Sequence, residues 1–284
     1  MHVTVNGVGL FVEVFGQKLA PDGPEVLERP TVVLLHGGPS DHDHVRRSAV
    51  RLAEVAQVIV YDHRGCGRSD PGDPALWNMA QWGDDVRGLC EALRITSPIV
   101  LGTSFGGFVA QSYAIRHPGH AAKLGFLVTG ARQNLDWSVE GFRKHGGDAA
   151  ATAFRAFGAD PNPETLAEFL RSCRAFYNVQ RVVDAEAAQR TRANLPLLLE
   201  FFRRSYQTPF DFRSDLAAVK APVLIVGGDE DPILPPVFQD ELEQALTSAP
   251  KTRIRFAKAG HQLDVDVAEA YDDALRRFVV GDSY

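Results

Sequence analysis

Short runs of consecutive apolar residues recur along the chain, and between most of them apolar residues repeat every three or four positions. The short runs are typical of strands buried on both faces of a parallel sheet, and the longer repeats are typical of helices that cover it. The predicted core strands are residues 31–35, 58–61, 99–101, 124–128, 223–226 and 252–256. The predicted core helices are residues 44–55, 84–94, 105–117 and 265–280. Because strands and helices alternate, we predict an α/β fold with a doubly wound, mostly parallel sheet.

The first 30 residues follow a different pattern. Residues 3–15 alternate between apolar and polar positions, which predicts two short strands joined by a turn near Asn6 and Gly7. Residues 17–30 are polar and rich in proline and glycine. This composition predicts a loop that leads into the first core strand.

Residues 131–215 interrupt the alternation of strands and helices, because they contain no continuous strand-like run. Helix breaks are predicted at residues 146–147, 160–163 and 196. This segment also holds 12 of the 26 aromatic residues in 85 positions, which is more than an even share. We predict a helical cap at 131–215, inserted into an α/β core formed by residues 1–130 and 216–284. Most of its aromatic side chains would pack inside the cap, and the rest would line an apolar substrate pocket.

Length and composition exclude several classes of protein. A chain of 284 residues can bury one large core and carry an inserted subdomain. The formal net charge of −6 argues against nucleic-acid binding, which needs a basic face. No apolar stretch approaches the roughly 20 residues that span a bilayer, so no membrane partner is expected. Three widely spaced cysteines and the lack of a visible secretory signal favour a cytoplasmic location.

The strand predicted at 99–101 is followed by the motif G-T-S-F-G at 102–106 and then by a helix. A serine in so tight a turn needs neighbours without bulky side chains, which Gly102 and Gly106 provide. The turn would raise the Ser104 hydroxyl above the sheet, where a substrate carbonyl can reach it. Because strand, motif and helix occur together, Ser104 is the predicted nucleophile of a serine hydrolase.

A serine hydroxyl needs a general base, and the base needs an acid that fixes its tautomer. In this type of fold the acid and then the histidine follow the serine along the chain. His261 follows the last predicted core strand and is the only histidine after His145, so it is the predicted base. The acid is predicted on the loop after the strand at 223–226. The candidates on that loop are Asp229, Glu230 and Asp231.

An oxyanion hole requires backbone amides that already point at the reacting oxygen. The amide of Phe105, directly after the serine, is one predicted donor, and the loop after the first core strand supplies the other. That loop reads H-G-G-P at residues 36–39. Gly38 is the predicted donor, because glycine lets the backbone approach closely and Pro39 has no N–H. We interpret His36 as an anchor of this loop rather than a catalytic group.

Together these motifs resemble the α/β-hydrolase superfamily and, within it, the proline iminopeptidase-like branch of serine hydrolases. The specific part of the resemblance is H-G-G-P at 36–39 combined with Y-D-H-R-G-C-G-R-S-D at 61–70. It covers the predicted core but not the predicted cap. In related sequences the acid lies three residues after the glycine that ends its strand. This resemblance favours Asp231 over Asp229.

Two departures from the resemblance bear on the substrate. Proline iminopeptidases usually carry tryptophan after the nucleophile, where this chain has Phe105. They also hold the substrate's free amino group with acidic side chains from the cap or beside the triad acid, where this chain has Pro232. The acids of the predicted cap lack a recognisable family setting. They include Asp184, Glu186, Glu200 and Asp211.

Two further motifs suggest metal or phosphate chemistry but do not match its patterns. Residues 41–44 read D-H-D-H, whereas binuclear zinc hydrolases need H-x-H-x-D-H and more histidines downstream, so we interpret them as a polar helix start. Residues 65–68 match neither a phosphate loop nor a dinucleotide fingerprint, and Cys66 has no recognisable base beside it. Arg64 or Arg68 is expected to brace loops by hydrogen bonds. No metal and no cofactor is predicted.

We therefore predict a cytoplasmic, cofactor-independent serine hydrolase that acts on a small ester, lactone or amide through an acyl-enzyme. The predicted triad is Ser104, His261 and Asp231, and the expected partner is a small-molecule substrate. Three alternatives stay open: a proline iminopeptidase-type aminopeptidase, a carbon–carbon bond hydrolase of aromatic breakdown products, and a non-catalytic ligand-binding relative. The last usually has a damaged triad, whereas all three residue types are present in this chain.

Overall fold

The computed structural model describes residues 1–183 and 189–281 and contains an eight-stranded sheet together with a separate two-stranded one. In chain order, the strands are β1 (His2–Val5), β2 (Val8–Phe15), β3 (Leu19–Asp22), β4 (Glu25–Glu28), β5 (Thr31–Leu35), β6 (Gln57–Tyr61), β7 (Ile99–Thr103), β8 (Lys123–Leu127), β9 (Val223–Gly228) and β10 (Lys251–Phe256). The large sheet has the order β1-β2-β6-β5-β7-β8-β9-β10.

The large sheet is parallel from β6 to β10, and β1 and β2 add an antiparallel edge. Each predicted core strand coincides with an observed strand to within two residues at either end. The central strand β5 is buried along its whole length, as expected of a strand with both faces covered. The structure thus confirms the predicted α/β fold with a mostly parallel sheet.

The prediction of a loop at 17–30 is wrong, because β3 and β4 pair there as an antiparallel hairpin. Every residue of β4 is exposed, and in β3 Ala20 is buried between exposed Leu19 and Pro21, so these short strands give too little apolar alternation to be predicted from the sequence. The two strands pair across the turn at Gly23, which has a positive φ of 59°.

Helices cover both faces of the large sheet. In chain order, they are α1 (Asp43–Leu52), α2 (Met79–Ala92), α3 (Phe105–Arg116), α4 (Leu135–Ala159), α5 (Pro163–Cys173), α6 (Leu195–Gln207), α7 (Arg213–Leu216), α8 (Pro236–Ala245), α9 (Leu263–Asp266) and α10 (Ala268–Val280). Single 3₁₀ turns lie at Pro74–Leu76 and Arg174–Phe176. On one face, residues of α2, α3 and α8 share a buried core with Val33 and Leu35 of β5. On the other face, residues of α1 and α10 share a buried core with Val32 and Leu34, so the sheet is doubly wound.

Helix α2 begins five residues before its predicted start. The side chain of Asn78 accepts a hydrogen bond from the amide of Gln81 and caps the helix there. This first turn places Trp82 in the core, with 2% of its surface exposed. The N-cap residue is a local sequence signal, but apolar periodicity does not detect it.

The chain between β8 and β9, here called the helical insertion, contains α4 to α7. It has a core of its own, in which Phe142, Phe154, Phe157 and Phe169 are buried against one another. Gly147 breaks α4 at one predicted position, with a positive φ of 69°. Pro196 breaks no helix, because it lies in the first turn of α6, where proline is tolerated.

Among residues 1–183 and 189–281, no helix combines the length and the apolar character needed to cross a membrane.

Candidate active site

Ser104 lies in the turn between β7 and α3, with φ of 52° and ψ of −115°. A positive φ is strained for a residue with a side chain, so the surrounding structure must hold this turn in place. A Cβ on Gly102 would lie 2.1 Å from the carbonyl oxygen of Gly106, and one on Gly106 would lie 2.5 Å from that of Leu35. The turn therefore requires glycine at both positions, as the sequence motif predicts.

His261 links Ser104 to Asp231. Its Nε2 is 3.0 Å from Ser104 Oγ, and its Nδ1 is 2.7 Å from Asp231 Oδ2. An ionised aspartate can only accept a hydrogen bond, so the Nδ1–H group of His261 donates to it and the Nε2 lone pair faces the serine hydroxyl. The Asp231 side chain is fully buried, and only 10% of the His261 side chain is exposed. Chemically, this arrangement can remove a proton from the serine as its oxygen attacks a carbonyl.

The loop after β9 gives its three acids different partners. The second oxygen of Asp231 accepts hydrogen bonds from the amides of Ile233 and Leu234, at 2.8 and 2.9 Å. These bonds hold the carboxylate rigidly below the imidazole. Asp229 instead pairs with Arg255, and Glu230 pairs with a lysine of α4. Of the candidates on this loop, Asp231 is the one hydrogen-bonded to the imidazole of the predicted base.

Phe105, one predicted source of an oxyanion donor, directly follows Ser104, and the loop that carries the other, Gly38, approaches Ser104 at Gly37. Phe105 is the first residue of α3, where backbone amides have no partner within the helix. A Cβ on Gly37 would lie 3.4 Å from the Cβ of Ser104, so the H-G-G-P loop reaches the serine closely. Gly38 follows in that loop with a positive φ of 115°, a conformation that favours glycine.

Phe105 is 1% exposed, and its ring is in contact with several other rings. Trp82 and His63 contact it from the core, with centroids 5.0 and 5.2 Å away. Phe201 of α6 contacts it from the helical insertion, with centroids 5.0 Å apart. The contact with Phe201 was not predicted, because nothing in a local pattern pairs residues this far apart.

His36 anchors the loop that carries the predicted oxyanion donor. Its Nδ1 lies 2.7 Å from the carbonyl oxygen of Gly37, and its Nε2 accepts a hydrogen bond from the amide of His63. Burial lowers the pKa of His36 to about 4, so its ring is neutral at pH 7. A neutral ring can donate at one nitrogen and accept at the other, as these contacts require.

The D-H-D-H segment lies at the start of α1, and its histidines contact side chains near that start. His42 Nδ1 is 2.7 Å from Asp62 Oδ1. Burial lowers the pKa of His42, but the hydrogen bond and charge of Asp62 outweigh burial and raise it. His44 Nδ1 is 3.2 Å from the hydroxyl of Ser40. In the part of the chain that the structure describes, no group of three or more His, Cys, Asp or Glu side chains is arranged to hold a metal ion.

Arg64 is the arginine that braces the loops after β6. Its guanidinium donates two hydrogen bonds to Asp85, at 2.8 and 2.7 Å, and a third to the carbonyl of Asn6. Arg68 instead stacks over the ring of Phe11. Burial raises the pKa of the Cys66 thiol well above its usual value, so this thiol stays protonated.

Two of the insertion acids noted in the sequence, Glu200 and Asp211, are paired with arginines. Glu200 accepts hydrogen bonds from Arg203 and Arg204. Both carboxylate oxygens of Asp211 accept hydrogen bonds from the guanidinium of the neighbouring Arg213. Asp184 and Glu186, the other two acids noted in the sequence, lie outside the described residues. Glu200 and Asp211 therefore already have cationic partners within the protein.

Tyr177 of the helical insertion lies against the predicted base. Its ring meets that of His261 nearly edge to face, with centroids 5.9 Å apart, and its carbonyl accepts a hydrogen bond from the amide of Gln262. From the sequence, Tyr177 is predicted only as one of the aromatic residues of segment 131–215, without a role at the site. Its neighbour Asn178 is 2% exposed, and its side chain finds the partners that a buried amide needs in Gln262 and Val182.

Comparisons with known proteins agree on the family. A model of the alpha/beta hydrolase fold family matches residues 30–263. Proline iminopeptidase PfmaB of Pestalotiopsis fici is 30% identical over 246 residues, which cover 80% of this chain and 84% of that protein. A proline iminopeptidase of Levilactobacillus brevis is 26% identical over 87% of each chain. The crystal structure of the Mycobacterium smegmatis proline iminopeptidase superposes with a TM-score of 0.75 at 20% identity, covering 99% of this chain and 97% of that one.

Proposed function

The chain belongs to the α/β-hydrolase fold family and is a hydrolase, and from this premise we propose that it acts by acyl transfer through Ser104. The observation that carries the proposal is the position of His261, within hydrogen-bonding distance of both Ser104 and Asp231. A nucleophile, a base and a buried acid in this arrangement are the minimum that acyl transfer through serine requires.

In the proposed mechanism, Ser104 Oγ attacks the carbonyl carbon of the substrate while His261 Nε2 takes the hydroxyl proton. The amides of Phe105 and Gly38 hold the oxyanion that develops. His261 then gives its proton to the leaving group, and the acyl-enzyme remains. A water molecule, deprotonated by His261, attacks the ester carbon and releases Ser104 with its proton restored. Asp231 holds the imidazole in place and stabilises its charged form throughout.

The proposed substrate is a small ester, lactone or amide with an apolar acyl part. Aromatic rings of the helical insertion lie next to the site: Phe201 against Phe105, and Tyr177 against His261. Phe202 and Tyr206, which are half-buried, pack against the core of the insertion and extend this aromatic cluster from Phe201. Such a surface recognises apolar shape rather than charge.

A proline iminopeptidase is the second candidate, because the relatives named above carry that name. An aminopeptidase must stabilise a substrate ammonium group, which calls for a carboxylate without another cationic partner. Glu200 and Asp211 are both committed to arginines, and this favours the ester or lactone. If an ammonium does bind, Glu200 is the first acid to mutate, since it is the one that lies on α6 beside Phe201.

The two candidates are separated by one matched set of substrates. Turnover is measured for an aryl ester, a lactone, proline arylamide and N-acetylproline arylamide, with Ser104→Ala as the control for background hydrolysis. We expect the ester or lactone to be turned over at least as well as proline arylamide, and acetylation of the nitrogen to have little effect. If proline arylamide is the best substrate and its acetylation abolishes turnover, the chain is an aminopeptidase and the proposed substrate class is wrong.

A further inference from the structure

The loop that carries His261 is hydrogen-bonded to the helical insertion over several residues. This loop is here called the base loop (residues 260–266), and the facing part of the insertion is the 177–180 segment. The amide of Gln262 donates to the carbonyl of Tyr177, and the Nε2 of Gln180 donates to the carbonyl of Val265. The base loop therefore takes its position from the insertion as well as from β10.

Asp266 lies at the centre of this contact. Its Oδ2 accepts a hydrogen bond of 2.8 Å from the amide of Gly260, the residue directly before His261. The same carboxylate accepts the amide of Val179, at 3.0 and 3.1 Å from its two oxygens, and that of Gln180 at 3.4 Å. One side chain thus joins a backbone amide of the base loop to two amides of the insertion.

A second contact runs beside the carboxylate. The Nδ2 of Asn178 donates to Gln262 Oε1 at 2.7 Å, and Asn178 is 2% exposed. The backbones also approach closely, since a Cβ on Gly260 would lie 2.7 Å from the carbonyl oxygen of Tyr177. Little space is left for the base loop to shift alone, so a displacement of the insertion would displace the loop with it.

We propose that Asp266 is a positioning residue for His261, which couples the imidazole to the helical insertion through the amides of Gly260, Val179 and Gln180. The inference rests on the proposed function, because it concerns the base of that reaction. A general base must remain within hydrogen-bonding reach of the proton that it removes, and a displacement of about 1 Å can cost on the order of 100-fold in rate. Asp266 has no hydrogen bond to the ring of His261, so it acts on the backbone that carries the ring.

The chemistry of the carboxylate makes Asp266→Asn an informative variant. A carboxylate accepts at two oxygens, whereas an amide has one accepting oxygen and an NH2 group that donates. In Asp266→Asn, one of the backbone N–H groups that Oδ1 or Oδ2 now accepts would face the NH2 group of the asparagine, which cannot accept a hydrogen bond. Asp273→Asn is the matched control, because Asp273 is an exposed acid on α10 that pairs only with Arg277 among the contacts described.

The experiment measures kcat and KM for ester hydrolysis, the fraction of active sites titrated by a fluorophosphonate probe, and the melting temperature. For Asp266→Asn we expect kcat per titrated site to fall about 10- to 100-fold, with KM within about threefold of wild type. Hydrogen exchange at the amides of Gly260 and Val179 is expected to become faster. Asp266→Glu, which restores both accepting oxygens, is expected to recover part of kcat, and Asp273→Asn is expected to match wild type.

The inference is overturned if Asp266→Asn keeps kcat per titrated site within twofold of wild type. It is also overturned if its lost activity is explained entirely by fewer titrated sites or a lower melting temperature, since that would be a purely structural role. Failure of the proposed function would give a different result from these: the fluorophosphonate probe would not label Ser104 in the wild-type protein. In that case both the acyl-enzyme and the role of Asp266 are refuted.

Discussion

The ring of Phe201 meets the ring of Phe105 edge to face, with centroids 5.0 Å apart and planes at 84°. Phe105 directly follows Ser104, whereas Phe201 lies on α6 of the helical insertion. The residue that supplies one proposed oxyanion donor is therefore packed between the core and the insertion. Substitutions in the insertion can change the geometry of the site without touching the triad.

Shortening Phe201 to alanine is expected to destabilise the protein by about 3–5 kcal/mol, because the ring is 94% buried and leaves a cavity beside Phe105. Ester turnover should fall as well, since the ring of Phe105 loses its contact with the ring of Phe201. Urea unfolding and kcat/KM measure the two effects. Leu195→Ala, on the exposed start of the same helix, is the control and should change the free energy of unfolding by less than about 1 kcal/mol. Equal effects of the two variants would contradict the packing argument.

A fluorophosphonate probe is expected to form a covalent bond with Ser104 in the folded protein, because the hydroxyl is hydrogen-bonded to His261 Nε2. Peptide mapping by mass spectrometry identifies the labelled residue. Ser104→Ala should abolish labelling, and His261→Ala should suppress it because the base is lost. Labelling that persists at another serine in Ser104→Ala would refute the assignment of the nucleophile.

Replacing Asp231 by asparagine is expected to lower kcat by about 10⁴-fold, because the imidazole loses the acceptor that fixes its tautomer and stabilises its charge. Ser104→Ala and His261→Ala should lower it at least as much. Asp229→Asn is the matched control on the same loop, since Asp229 pairs with Arg255 near the surface. Its kcat should stay close to that of wild type. If Asp229→Asn loses activity and Asp231→Asn keeps a kcat near that of wild type, the triad acid is Asp229.

The buried pair of His36 and His63 is expected to make the protein sensitive to acid. Burial lowers the pKa of His36 to about 4, and burial together with the charge of His36 lowers the pKa of His63 well below 6.5. In the unfolded chain both titrate near pH 6.5, so the unfolded state binds more protons below that value. Stability is therefore fully present above about pH 6.5. It falls as the pH drops toward 4, by up to about 1.4 kcal/mol per pH unit for each imidazole.

His63→Phe isolates this effect. Both ring nitrogens of His63 are buried and have no hydrogen-bond partner among the residues that the structure describes, and a phenyl ring can keep the contacts with Phe105 and Tyr61. The free energy of unfolding, measured in urea between pH 7 and pH 4.5, should depend less on pH in the variant than in wild type. If the free energy of unfolding changes equally with pH in the variant and in wild type, His63 does not contribute to acid sensitivity.

Local patterns were sufficient to predict the core of the fold. The run at 31–35 coincides with β5, because a strand covered on both faces must be apolar at every position. Gly102 and Gly106 predicted the turn at Ser104, because steric exclusion within five residues is a local property of the backbone. The spacing to Asp231 and His261 predicted residues that do lie together, since parallel strands bring their carboxyl ends to the same edge of the sheet.

Other features were decided by contacts between distant parts of the chain. The hairpin of β3 and β4 pairs two four-residue strands, of which β4 is fully exposed, and hydrophobic periodicity gives almost no signal for such strands. The contact of Phe201 with Phe105, and that of Asp266 with Val179, join segments more than 80 residues apart. The chain by itself determined which residues are apolar, which turns need glycine, and which side chains are chemically able to form the site. Only the tertiary structure decided which ring covers Phe105 and which carboxylate holds the base loop, because both depend on how the helical insertion packs against the core.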